Sequence, residues 1–317
     1  MRGPRIIFAA LAGLALALPA AAQNQKPPPT APAANEPDLA YGAYQRGQFL
    51  TAFAEATKRA QTSDPTAMTL LGELYANGYG VPRDDSKAAQ WYKLAAAGGD
   101  RNAMFALAMF NFEGRAGGRN EAEGARLLDA AAKLGHASAA YDLGLLYLQG
   151  KQMPQNFTRA AELFRQAADA GNPEAQYALA TMYKEGRGVP KDEREAMRLM
   201  ERSATAGDLD AIVEFAIARF NGTGIAKDES AAAQLFLKAA KRGSPIAQNR
   251  LARILMAGRG LPPDAANAIK WHLIALAQGD SDPELDAFAA KQTQSLRDAA
   301  DKAAQKWLAT ASLPRRP

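Results

Sequence analysis

The side chains that most often perform acid-base or metal chemistry are scarce in this sequence of 317 residues, which contains two histidines and no cysteine. A metal site or an acid-base pair needs partner side chains at suitable spacing, and neither His136 nor His272 has a second histidine nearby. The sequence also lacks an HExxH segment, a GxSxG elbow and a phosphate-binding loop. We therefore expect no enzymatic activity, no bound metal and no cofactor.

Several Gly-x-Gly segments, among them those that begin at Gly78, Gly186 and Gly258, match part of a nucleotide-binding fingerprint. That fingerprint follows a β-strand, whereas helices are predicted on both sides of these glycines, so we interpret them as loop glycines. Carboxylates alone can hydrolyse glycosidic bonds. The alternative to a non-catalytic protein is thus an envelope enzyme or glycan-binding protein that acts on peptidoglycan or exopolysaccharide.

Glycine returns every 36 residues along most of the chain, which is the signature of a repeat array. The first glycine column is Gly78, Gly114, Gly150, Gly186, Gly222 and Gly258. The second column is Gly99, Gly135, Gly171, Gly207, Gly243 and Gly279. An Asp or Asn column falls between them at Asp84, Asn120, Asn156, Asp192, Asp228 and Asp264.

Each column has a role in a helix-loop-helix unit. A left-handed glycine ends helix A, the Asp or Asn side chain caps the start of helix B, and the second glycine ends helix B. One pair of helices cannot bury its own apolar faces, so stacked neighbours must do so. We expect an all-α fold, an α-solenoid of six repeats, at residues 66–101, 102–137, 138–173, 174–209, 210–245 and 246–281.

The same register gives both histidines a structural position. His136 follows the glycine that ends a helix B, and other repeats have Asp, Asn or Ser there. His272 falls in a packing column with Tyr92, Phe164 and Phe236. We interpret both as structural residues.

The ends of the array differ from its middle. Residues 38–65 predict a capping hairpin similar to a plain tetratricopeptide unit, with Gly47 in its turn. Residues 282–310 predict a C-terminal capping element, in which 283–309 form one long helix. Residues 311–317 are expected to be a disordered tail.

The N-terminal segment is typical of a cleavable signal peptide. Two arginines precede an apolar stretch at residues 6–18, and small residues at 20–22 follow it. We expect cleavage between Ala22 and Gln23, hence a periplasmic or secreted protein without a transmembrane helix. An uncleaved anchor is the alternative, although 13 apolar residues fall short of the roughly 20 that span a bilayer. Residues 23–37 contain five prolines and predict an extended linker.

Net charge argues against a nucleic-acid partner. Cleavage would remove two of the 38 basic residues and none of the 33 acidic ones, which leaves 36 against 33 and a net charge of +3. Such a weak and mixed charge does not favour binding to nucleic acid. We expect a monomer whose partner is another protein.

The repeat resembles the Sel-one-like repeat, a subfamily of the tetratricopeptide superfamily. The pattern A-x-x-x-L-G-x-x-Y-x-x-G-x-G-V-P is carried by Ala67, Leu71, Gly72, Tyr75, Gly78, Gly80, Val81 and Pro82. Departures from it include Ala116 and Gln152, which replace the second loop glycine, and Arg219, which replaces the tyrosine.

The resemblance implies a right-handed superhelix whose concave face is lined by helix A of each repeat. It also implies an adaptor, scaffold or regulator. Many such proteins belong to the bacterial envelope, and some control sensor kinases or exopolysaccharide production. The implied partner is an envelope protein or the ectodomain of a membrane protein.

The tetratricopeptide register predicts which side chains line the concave, protein-binding face. Aromatic and methionine side chains exposed in a groove are typical of binding surfaces. The alternative is that several of them pack helix A against the next repeat, because a shift of one residue turns groove into core. The candidates are Phe105, Met109, Phe112, Tyr141, Leu145, Leu148, Tyr177, Val213, Ile217 and Phe220.

Basic residues gather near two of the loops. We interpret them first as a solvated face, because acidic residues are interspersed. An acidic partner segment or an anionic glycan is the second interpretation. These residues are Arg187, Lys191, Arg194 and Arg198 in the fourth repeat, and Arg250, Arg253 and Arg259 in the sixth.

Overall fold

The computed structural model describes residues 38–115 and 117–310, which form 16 α-helices and no β-strand. The expected all-α fold class is confirmed. The predicted signal peptide (1–22), linker (23–37) and tail (311–317) lie outside the described residues. Within the described part of the chain, no helix is both long enough and apolar enough to cross a bilayer.

The helices fall into two compact units, the first ending at Ala170 and the second starting at Gly171. The first unit contains α1 (Leu39–Gln45), α2 (Phe49–Ala60), α3 (Pro65–Asn77), α4 (Asp85–Ala97), α5 (Arg101–Glu113), α6 (Glu121–Lys133), α7 (Ala137–Gln149) and α8 (Phe157–Asp169). The second contains α9 (Pro173–Glu185), α10 (Glu193–Ala206), α11 (Leu209–Asn221), α12 (Glu229–Lys241), α13 (Pro245–Ala257), α14 (Ala265–Ala277), α15 (Pro283–Ala290) and α16 (Gln294–Thr310).

In each unit, helices pack against their neighbours in sequence. The odd-numbered helices α3 to α13 are the A helices, and each packs along the B helix that follows it. Within a unit, that B helix then packs against the next A helix. The hairpin of α1 and α2 stacks on α3, and α16 packs on α14. This order is the packing of a helical solenoid.

The repeat columns act as helix caps. All six glycines of the first column, for example Gly78 with φ 69°, follow helix A in the left-handed conformation. All six Asp or Asn residues cap a B helix, as Asp84 does by accepting from the Lys87 N–H at 3.0 Å. The second-column glycines also have positive φ. These predictions succeed because caps depend on local sequence.

Small and large residues of the core are matched in size across the helix pairs. Tyr92, Phe164 and Phe236 are buried, and the first two lie directly against glycines. A Cβ added at Gly72 would lie 2.5 Å from a ring carbon of Tyr92, and one at Gly144 would lie 2.7 Å from Phe164. The absent side chains let these helices approach closely.

One local expectation was wrong. The predicted long helix at 283–309 is divided into α15 and α16, because the Thr293 hydroxyl accepts from the Leu296 N–H at 3.4 Å and starts a new helix. Asp192 caps α10 without a reciprocal bond from Glu195, whose carboxylate accepts two hydrogen bonds from Arg198. The Asp192 N–H donates to the Tyr183 carbonyl at 3.0 Å.

Candidate interaction surface

His136 is a helix cap. It precedes α7, and its Nδ1 accepts from the Ala139 N–H at 3.1 Å. Its ring stacks on Phe105, with 4.5 Å between the centroids. Burial lowers the pKa of His136, and the nearby Arg101 guanidinium lowers it further. The neutral ring that can accept this bond is therefore the favoured form, and the structural interpretation is confirmed.

His272 is a packing residue with one polar contact. Its side chain is buried in α14, and Nε2 lies 2.7 Å from Asp286 Oδ1 of α15. Nδ1 has no hydrogen-bond partner among the described residues. The packing position was predicted from the register, but the contact with Asp286 was not, because it depends on the separate helix α15. Across residues 38–115 and 117–310, no group of acidic or histidine side chains is arranged to hold a metal.

The ten candidate residues of the concave face all lie on A helices, but their exposure differs. Leu145 and Val213 retain only 1% and 5% exposure. For these two, the alternative interpretation as core residues is the right one, because almost none of their surface remains accessible. The eight others are partly exposed: Phe105, Met109, Phe112, Tyr141, Leu148, Tyr177, Ile217 and Phe220.

The partly exposed aromatic rings of the first unit are each held by a neighbour. Phe105 stacks on His136, and the rings of Tyr141 and Phe164 are 5.6 Å apart at 42°. Phe112 lies so close to Gly124 that a Cβ there would be 2.8 Å from the ring. These side chains are therefore fixed on one side and accessible on the other, which is how pre-organised interface aromatics are placed.

In the second unit, Ile217 and Phe220 of α11 line a cavity of about 290 Å³ between α11, α12, α13 and α15. Phe220 meets Phe236 edge to face, with centroids 6.5 Å apart. Ile254, Met256 and Ala257 of α13 complete the apolar lining. Sequence reasoning named two of these residues but not the cavity.

The three arginines of the basic cluster in the sixth repeat line this cavity. Arg253 bonds Asp282 through Nε at 2.6 Å, and the Arg259 guanidinium lies 4.4 Å from the centroid of Phe220. Arg250 is exposed and lines the cavity. It forms no hydrogen bond or ion pair with any residue that the structure describes.

The basic residues of the fourth repeat are mostly neutralised. Lys191 pairs with Glu193 at 2.8 Å, and Arg198 pairs with Glu195 at 2.6 Å. Both pairs are largely exposed. These contacts favour the interpretation of this cluster as a solvated face.

Sequence reasoning missed an exposed apolar patch on the N-terminal hairpin. Leu39 and Leu50 are 61% and 69% exposed, and Tyr41 and Tyr79 are also exposed. Tyr79 stacks on Phe49, with centroids 4.5 Å apart. The closely spaced aromatic residues of α1 and α2 were the available signal, but their exposure depends on how the hairpin packs on α3.

The chain is similar to two solved bacterial structures. One is the crystal structure of a Sel1 repeat protein from Oxalobacter formigenes, with 27% identity and a TM-score of 0.67 over 75% of this chain and 98% of that chain. The other is c5321, described as a protective antigen present in uropathogenic Escherichia coli strains displaying an SLR fold. It has 25% identity and a TM-score of 0.58 over 86% of this chain and 67% of that chain. No curated protein matches the chain.

A sequence model of the Sel1 repeat matches six consecutive segments, at residues 65–100, 101–136, 137–172, 173–208, 211–244 and 245–280. The match to the fifth repeat begins one residue after the start expected from the glycine columns. Each of the other matches begins one residue before its expected start. The matches cover well over half of the chain and coincide with the helix pairs α3 to α14. The chain therefore belongs to the Sel1 repeat family.

Proposed function

We propose that this protein is a non-catalytic scaffold that binds a protein segment on the exposed side of its A helices. Sel1 repeat proteins typically act as non-catalytic scaffolds for protein interaction. The observation that carries the proposal is the partial exposure of Phe105, Met109 and Phe112 on one helix. A residue that only packs between repeats is buried, as Leu145 is. Fixed aromatic and methionine side chains at such a site are suitable anchors.

The proposed place of action is the bacterial envelope. The charged and apolar pattern of residues 1–22 supports export, and both similar solved structures are bacterial. The proposed partner is an envelope protein or a membrane-protein ectodomain, bound in signalling or in the regulation of exopolysaccharide production. Mass spectrometry of the exported protein checks the export step, since the mature chain should begin at Gln23.

Photo-crosslinking from single positions tests the scaffold. Benzoylphenylalanine is placed at Met109 on the A helix α5 and, as a matched control, at Leu94 on the B helix α4, where the side chain is 51% exposed. In extracts of the cells that make the protein, a defined partner should crosslink from Met109 and not from Leu94. The two positions lie in neighbouring helices, so differences in folding do not explain a difference in capture.

Binding of the crosslinked partner must also depend on the side chains of the α5 surface. Met109→Lys should abolish affinity capture of that partner by the chain without a crosslinker, while the melting temperature stays within a few degrees of wild type, because the side chain is only partly buried. Equal crosslinking from Met109 and Leu94, or recovery unchanged by Met109→Lys, would contradict a binding surface on α5.

A further inference from the structure

The cavity of the second unit has the size and lining of a side-chain pocket. Its volume of about 290 Å³ lies at the lower limit of small-molecule sites, about 300 Å³. The floor is apolar and consists of Ile217, Phe220, Phe236, Ile254 and Met256. Such a pocket accommodates one bulky apolar side chain, and an extended segment supplies such a side chain more readily than a folded surface does.

Arg250 has no ion-pair partner among the described residues, although the equivalent residue of the preceding repeat has one. There, Lys184 of α9 forms an ion pair with Glu214 of α11 at 3.0 Å. One repeat later the same two positions hold Phe220 and Arg250. The ion pair is thus replaced by an aromatic ring and an exposed cation, and both line the cavity.

The other two arginines at the rim are already neutralised. Arg253 makes a bidentate contact with Asp282 at 2.6 and 2.8 Å and bonds Glu284 at 2.6 Å. Arg259 makes a bidentate contact with Glu229. These pairs hold the rim in place but leave little charge to offer a ligand.

The charge available at the cavity is therefore that of Arg250. The charge of Arg250 opposes the rise in the pKa of Asp280 that burial causes, but Arg250 and Asp280 form no ion pair. Glu284, the acidic residue of the lining, is occupied by Arg253. A ligand with a carboxylate close to an apolar side chain is complementary to this arrangement, whereas a basic ligand is not.

We propose that this cavity binds a bulky apolar side chain of an acidic peptide segment, and that a neighbouring carboxylate of the segment pairs with Arg250. The proposal rests on the proposed scaffold function and specifies the chemistry of the bound segment at the second unit. The aromatic floor selects the side chain, and the cation at the rim selects acidic over basic flanking residues.

Calorimetric titration of the full chain with three short peptides tests this directly. The probe is acetyl-Gly-Glu-Phe-Glu-Gly-amide, one comparison peptide has lysine in place of both glutamates, and the other has alanine in place of phenylalanine. The acidic phenylalanine peptide should bind, and each replacement should weaken binding about tenfold or more, as expected for the loss of a charge-assisted bond or of a buried ring.

Two matched variants separate the cavity from general charge. Arg250→Gln should weaken binding of the acidic peptide about tenfold, whereas Arg194→Gln, which removes an exposed arginine outside the cavity, should leave it unchanged. No binding of the probe at millimolar concentration, equal binding of the lysine peptide, or equal effects of the two variants would overturn the proposal. Binding of an oligogalacturonate in place of the peptide would also overturn it, because it would assign the site to an anionic glycan.

The outcomes also distinguish this proposal from the scaffold itself. The crosslinking test uses Met109 in the first unit, whereas the cavity lies in the second. Crosslinking at Met109 with no peptide binding would eliminate only the cavity. Peptide binding with no crosslinking would exclude the surface on α5 as a binding site and leave the cavity as the binding site.

Discussion

His136 occupies a cap position that Asp100, Asn172 and Ser244 occupy in other repeats. A carboxylate or amide cap keeps its acceptor at all pH values near neutrality, but a histidine loses its acceptor when Nδ1 is protonated. The imidazole must therefore be neutral to cap α7. This difference makes the local stability of α7 sensitive to mild acid.

We predict that His136→Asn reduces the loss of stability in mild acid. Burial and Arg101 lower the pKa of His136 in the folded protein, so the folded state resists protonation more than the unfolded state. The stabilising contribution is present above the unfolded pKa of about 6.5 and is lost as pH falls below it. Melting temperatures measured between about pH 7.5 and 5 should fall less for the variant than for wild type, since asparagine caps without titrating. Parallel curves for the two proteins would exclude this role.

At the scale of helices, α15 begins at an Asp with two tasks. Asp282 is buried and accepts from the Glu284 and Leu285 N–H groups, which caps the helix. It also accepts from Asn249 at 3.0 Å and from Arg253. These contacts attach the C-terminal element to α13, the A helix of the sixth repeat.

We predict that Asp282→Asn lowers the free energy of unfolding by about 2 kcal/mol, the usual range for a hydrogen bond to a charged group. Asparagine still caps the helix, but it removes the carboxylate that Arg253 contacts through two nitrogens, so that Arg253 keeps only Glu284 as an acidic partner. The matched control is Asp264→Asn, which changes the cap of α14, a carboxylate that makes no ion pair with any arginine that the structure describes. Urea unfolding should show a change within about 0.5 kcal/mol for this control. Equal losses at both positions would show that the ion pair adds nothing to the cap.

At the scale of the whole molecule, arginines in the loops join consecutive repeats within each unit. Arg115 follows helix A of the second repeat and makes a bidentate contact with Asp85 of the first, at 2.6 and 2.9 Å. Arg259 and Glu229 repeat this contact in the second unit. Each joins residues 30 positions apart, so it stabilises the stacking of repeats and not the individual helix.

We predict that Arg115→Leu lowers the free energy of unfolding by about 2 kcal/mol at neutral pH, and that its deficit relative to wild type shrinks in strong acid. Hydrogen bonds from Arg115 and Arg83 lower the pKa of Asp85 to about 2 against the opposing effect of burial. The contribution of the carboxylate is present above its unfolded pKa of about 3.9 and is lost as pH falls towards about 2. Urea unfolding of both proteins at about pH 7 and 3 measures the difference. A deficit that is the same at both pH values would contradict an ionic contact.

The sequence by itself determined the repeats, the helix ends and the family. The glycine columns and the Asp and Asn caps act through backbone groups a few residues away, so they begin or end a helix whichever other helices pack against it. The same columns placed His136 and His272 in structural positions, and both are found there.

Only the tertiary structure decided which apolar side chains remain accessible. Leu145 and Met109 share one register position, yet the first is buried and the second is partly exposed. The cavity beside Arg250 likewise depends on helices brought together from distant positions. Within each unit of this fold, a helix is buried by the helices that precede and follow it, so the apolar pattern within one helix does not determine which of its side chains stay exposed.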